Sequence, residues 1–272
     1  MAGCLPRSRT LALAALIAAA TAALSDRDAA ADPRSRERAI RVAAIGAGIV
    51  LYAASEIVGK DAISPDECRW CSSNRLDAGA RDLALWDDTD QARRLGNLIG
   101  YGLSPVAASA LLLAASTEVP DHPWLAYGDD MIAMFEIVWS TQLVTQIAKI
   151  SAGRQRPYAH YGTGQSVPTQ EANLSFFSGH SSLTFSIAVG AGVIAHRRGY
   201  RLEPVIWAAT LAIAATTGYL RMAADRHYFT DVLVGGAAGA LGGAFIPRLT
   251  GSMPPRAAVV PQPGGLAVVG SF

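Results

Sequence analysis

The chain has 272 residues, 51% of them apolar and only 17% charged, which at roughly 100–200 residues per domain allows one large domain or two small ones and excludes a disordered chain. Its 23 Lys+Arg against 22 Asp+Glu leave a net charge of +1, so the basic excess of a nucleic-acid binder is missing and no nucleic-acid partner is expected. Three cysteines exclude a disulfide-rich scaffold.

Arg7 and Arg9 precede an uncharged run over 10–25 and then Ala29-Ala30-Ala31. This three-part pattern reads as a signal peptide over 1–31, cut after Ala31, or as an N-terminal anchor. Six apolar segments follow, at 40–58, 95–117, 131–148, 181–195, 204–220 and 231–247. Each is near or slightly below the ~20 residues that cross a bilayer as a helix. The second and fifth carry no charge, Glu136 interrupts the third, and Gly235, Gly236, Gly239, Gly242 and Gly243 dilute the sixth. Such glycines suit close helix packing. The expected fold is all-α, a transmembrane bundle of about six core helices over 40–248, with a soluble helical bundle as the alternative.

Between the first two segments stand Cys68 and Cys71. Without a second C-x-x-C they read as a candidate disulfide in an exported loop rather than half a metal site. Arg34, Arg36 and Arg38 precede the first segment and Arg41 stands at its start, and Arg197, Arg198 and Arg201 separate the fourth from the fifth. By the positive-inside rule both stretches are cytoplasmic, and the loops after segments three and five face outward. A cleaved leader combined with six spans would reverse that orientation, so those two readings exclude each other. The proline- and glycine-rich tail, 249–272, reads as flexible or loosely attached.

Three polar clusters stand at segment ends. Lys149 closes the third segment and is followed by Arg154, Arg156 and Pro157, a cationic loop suited to an anion. Ser178, Gly179 and His180 open the fourth, placing a hydroxyl, backbone N–H groups and a proton donor at a helix N-terminus. Arg221, five residues, His227, three residues and Asp231 join the fifth to the sixth. The spacing of four predicts that Asp231 accepts one ring N–H of His227 and aims the other nitrogen outward as base or nucleophile. Asp225 and Arg226, inside the spacer, read as solvated. In an up–down bundle both loops emerge at one end. Cations, a helix N-terminus, two histidines and one carboxylate converging there fit phosphoryl transfer without a metal.

In order and spacing, Lys149-x6-Arg156-Pro157, Ser178-Gly179-His180 and Arg221-x5-His227-x3-Asp231 resemble the three signature motifs of the type 2 phosphatidic acid phosphatase / vanadium haloperoxidase superfamily, over about 131–247. The resemblance implies that His227 forms a phosphohistidine, that Asp231 orients it, and that His180 is the general acid and then the base. Lys149, Arg156, Ser178, Gly179 and Arg221 would hold the phosphate. It further implies a lipid phosphate substrate, a bacterial inner membrane with the site facing the periplasm, no cofactor, and vanadate as inhibitor. The alternatives are a soluble periplasmic acid phosphatase and a haloperoxidase with vanadate as cofactor. Two positions depart from the family pattern: Phe177 stands where Pro is usual and Leu220 where Ser is usual.

Overall fold

The computed structural model describes residues 33–56, 63–163, 171–250, 257–262 and 265–270, and the expected leader lies outside them. Eight helices form among these residues: α1 (Pro33–Ala54), α2 (Arg75–Ala84), α3 (Thr89–Ser116), α4 (Pro123–Ala152), the single turn α5 (Pro157–His160), α6 (Gly179–Arg198), α7 (Glu203–Ala223) and α8 (Phe229–Leu249). Their limits follow local chemistry. Asn74 and Asp88 cap α2 and α3 by accepting the N–H of Asp77 and of Gln91, and proline occupies the first turn of α4 and α7, where its missing N–H costs nothing. α4 stops at Gly153, which adopts φ 55°, a left-handed conformation that glycine enters without steric penalty. Inside α3, residues Leu98–Leu103 form a π-helical segment.

Four helices, α3, α4, α7 and α8, are long and apolar enough to cross a membrane. The first and fourth expected spans are also helical, as α1 and α6, but the charges of α1 and the hydroxyls of α6 keep them outside that group. α6 is the central element and packs against α8, α7, α4 and α3. Leu112, Ile137, Ile187, Ile194 and Ile206 form its apolar core, while Ser181, Ser182, Thr184 and Ser186 of α6 are buried as well. Large apolar side chains such as Leu98, Val106, Ile147 and Leu241 point outward. A surface of that kind suits a hydrocarbon surround.

α8 meets α6 along a glycine stripe. A β-carbon on Gly235 would lie 2.6 Å from the Ser178 carbonyl oxygen, and one on Gly239 would lie 2.3 Å from that of Ser182. Only hydrogen fits there, so the two backbones touch. The tail after α8 contains an antiparallel ribbon, β1 (Ala257–Gln262) with β2 (Gly265–Gly270) and Val259 opposite Val268. Both strands carry paired valines, β-branched residues that suit a ribbon.

Candidate active site

The site end of the bundle is assembled from loops that α4, α6, α7 and α8 deliver to one place. Gly153 reverses the chain after Lys149, and its carbonyl accepts the N–H of Arg69 (3.0 Å). This fastens the loop that carries the Cys68–Cys71 disulfide over the start of the 154–178 segment. Ser178 caps α6, its hydroxyl accepting from the Ser181 N–H (3.3 Å), and its own N–H donates to the Asp231 carbonyl (3.0 Å). After α7, Asp225 takes φ 57°, tolerable for aspartate, and the N–H of Arg226 returns to the Arg221 carbonyl (3.1 Å). That tight return places His227 directly above the last turn of α7.

The His227 ring is buried, and its Nδ1 lies 2.8 Å from the Ser175 carbonyl oxygen. A carbonyl only accepts, so Nδ1 carries the hydrogen and Nε2 keeps its lone pair. Burial first, then the positive charges of Arg156, Arg221 and Lys149, hold this imidazole well below the ordinary histidine range. It is neutral at pH 7 and a competent nucleophile. The expected contact with Asp231 is not made: Oδ2 is 3.7 Å from Nδ1. That carboxylate instead accepts from the Ser175 hydroxyl (2.5 Å), the Tyr228 N–H (3.0 Å) and Arg154 (2.5 Å).

Arg154, fully buried, is the hub beneath His227. It pairs with Asp231 and with Asp77 (2.6 Å), donates to Thr230 (2.8 Å), and lies 4.1 Å from the ring centres of both Trp70 and Tyr228. Arg156 and Arg221 differ from it. Both are buried, yet among the described residues neither pairs with a carboxylate. Arg156 donates to the carbonyls of Glu171 (2.8 Å) and Arg226 (3.4 Å). Arg221 donates to Asn97 (3.1 Å), and its Nε has no partner. A β-carbon on Gly179 would lie 2.9 Å from Lys149 Nζ, so the glycine lets that ammonium rest on the first turn of α6. His180 Nε2 is 2.9 Å from Asn97 Oδ1.

Every motif residue named from the sequence therefore lies at one end of the bundle. The structure adds Ser175, Asp77, Asn97 and the role of Arg154. Asp225 and Arg226 are buried rather than solvated, because Asp225 takes a two-pronged ion pair from Arg81 of α2 (2.6 and 2.9 Å). Phe177 and Leu220, the two departures from the family pattern, are buried packing positions. No group of three or more His, Cys, Asp or Glu side chains among the described residues is placed to hold a metal ion.

An apolar-surfaced helical bundle with a histidine and arginine site at one end is the class of protein these features define. Residues 130–252 match the PAP2 superfamily. Over 125 residues it is 31% identical to the PA-phosphatase related-family protein of Dictyostelium discoideum, covering 42% of this chain and 46% of that protein. It is 30% identical to phospholipid phosphatase 2 of Bos taurus over 125 residues, covering 37% and 44%. The chain thus spans less than half the length of these curated relatives. Among solved structures, the first transmembrane PAP2 type phosphatidylglycerolphosphate phosphatase from Bacillus subtilis aligns with a TM-score of 0.47 and 17% identity, covering 78% of this chain and 96% of that one.

Proposed function

We propose that this protein is a metal-independent phosphatase that hydrolyses a phosphate monoester or diphosphate of a lipid through a phosphohistidine. One observation carries the reading: a buried, neutral His227 with a free Nε2 sits among buried Arg156 and Arg221, which have no carboxylate partner among the described residues. Buried cations without counter-charge are costly, and a phosphoryl group supplies that charge. Nε2 attacks phosphorus and the bond to the leaving oxygen breaks. Lys149, Arg156, Arg221 and the α6 N-terminus hold the equatorial oxygens, and His180 protonates the leaving oxygen. Water, deprotonated by His180, then cleaves the N–P bond. The outward apolar side chains favour a lipid ester, whose tails stay in the bilayer. Arg36, Arg38, Arg197 and Arg201 stand at the end opposite the site, so the positive-inside rule turns the site to the outer, periplasmic face.

Detergent-solubilised protein in EDTA is expected to release phosphate from phosphatidic acid, phosphatidylglycerol phosphate or an isoprenyl diphosphate, with vanadate inhibiting. Release only from a small soluble ester would favour the periplasmic acid phosphatase. Bromide oxidation after vanadate loading would favour the haloperoxidase. The pH profile checks the nucleophile separately. The folded pKa of His227 lies below ~6.5, so the neutral ring survives as pH falls through the ordinary range. The acid limb of kcat/KM, corrected for substrate ionisation, is expected below ~6.5. A limb at or above that value contradicts a neutral, shielded His227. By the same linkage, the His227 contribution to stability is constant above the unfolded pKa and falls as pH drops toward the folded one.

A further inference from the structure

α3 lies before the stretch that matches the superfamily, yet three of its positions close on the ring of His180. Asn97 Oδ1 is 2.9 Å from Nε2, the Tyr101 ring centre is 4.2 Å from the imidazole centre, and a β-carbon on Gly100 would lie 3.1 Å from Cδ2. Gly100 and Tyr101 belong to the π-helical segment that begins directly after Asn97, and irregular turns of this kind recur at functional sites.

Asn97 Oδ1 also accepts from Arg221 Nη1 at 3.1 Å. A guanidinium has only donors, so the amide oxygen, not the amide nitrogen, must face Arg221. The same oxygen faces His180 Nε2, which therefore carries its hydrogen whether the ring is neutral or charged. Nδ1 is left as the nitrogen that gains and loses a proton, and it makes no hydrogen bond among the described residues.

We propose that Asn97 is a positioning residue for the reaction, fixing His180 with Nε2–H anchored and Nδ1 working, and tying that ring to the phosphate-holding Arg221. The inference rests on the phosphatase reading above. As the bond from His227 Nε2 to phosphorus forms and the phosphorus–oxygen bond breaks, the Nδ1 proton of the charged ring passes to the leaving oxygen. Nδ1 then takes a proton from the attacking water, whose oxygen displaces His227. The amide oxygen keeps the ring from rotating during both transfers.

The test compares kcat/KM for a dialkylglycerol phosphate and for p-nitrophenyl phosphate, whose leaving group needs no proton. Asn97→Leu is expected to cost ~10²-fold on the alkyl phosphate and less than about fivefold on the aryl ester. In a His180→Ala background it is expected to cost nothing further on either, because the residue acts through that ring. Equal losses on both substrates, or additive losses in the double variant, overturn the inference. Asn97→Asp keeps the size and the acceptor, so it reads the same site if the leucine variant does not fold. Its added carboxylate favours charged His180, and the alkaline limb of the alkyl-phosphate profile is expected to rise by about one pH unit; an unmoved limb counts against the proposal. No phosphate release from either substrate by the parent would remove the phosphatase reading, whereas full alkyl-phosphate activity in His180→Ala would remove His180 as the acid and this inference with it. A large loss there with additivity removes only the inference.

Discussion

His227→Ala is expected to lower phosphate release from the preferred lipid phosphate at least ~10³-fold, the scale on which removal of a covalent nucleophile is felt. The argument is local. Nε2 has its lone pair because Nδ1 is committed to the Ser175 carbonyl, and His180, the other imidazole of the site, is tied to Asn97 through its Nε2. The variant loses one hydrogen bond to a backbone carbonyl, so its unfolding temperature should stay close to that of the parent. Acid quenching during turnover should trap an acid-labile phosphoenzyme in the parent and none in the variant. Turnover within tenfold of the parent would remove the covalent mechanism.

Arg154→Met is expected to destabilise the fold by ~3–5 kcal/mol, a large part of the ~5–15 kcal/mol that separates folded from unfolded chains. The side chain is fully buried, and so are the two carboxylates it neutralises, Asp77 and Asp231. Truncation leaves both in a low-dielectric interior without counter-charge, and it also empties the slot between Trp70 and Tyr228. Thermal unfolding in detergent reads the loss. Adding Asp77→Asn to Arg154→Met should recover part of it by removing one stranded charge. An unfolding temperature within about two degrees of the parent would show that the hub contributes little.

The helices and the three clusters were legible because their signals are local. Apolar runs, caps and fixed spacings are properties of consecutive residues, and Lys149, His180, Arg221 and Asp231 all fall within a turn of a helix end. The orientation of His227 was not legible. A spacing of four puts two side chains on one face only when both lie in the helix, and α8 starts at Phe229, two residues after His227. Asp231 is consequently drawn into capping Tyr228 and pairing Arg154, and the carbonyl of Ser175, 52 positions upstream in sequence, takes the imidazole N–H instead. Asp225 and Arg226 were misread for a related reason. A charged spacer looks solvated until Arg81, which the chain brings back from α2, covers it. Asn97 and Asp77 carry no motif at all; the tertiary approach of α3 and α2 brings Asn97 to His180 and Asp77 to Thr230 and Arg154.

The bare seam between α6 and α8 sets the axial registration of the chemistry. Gly235, Gly239 and Gly243 each seat a backbone atom of α6, at intervals of about one helical turn, so the two helices engage like indexed racks. A slip of one notch would move Asp231 and the His227 turn by ~5.4 Å relative to His180, far beyond the reach of a proton transfer. Three residues without side chains, two of them well away from the site, thereby hold the distance between His180 and His227.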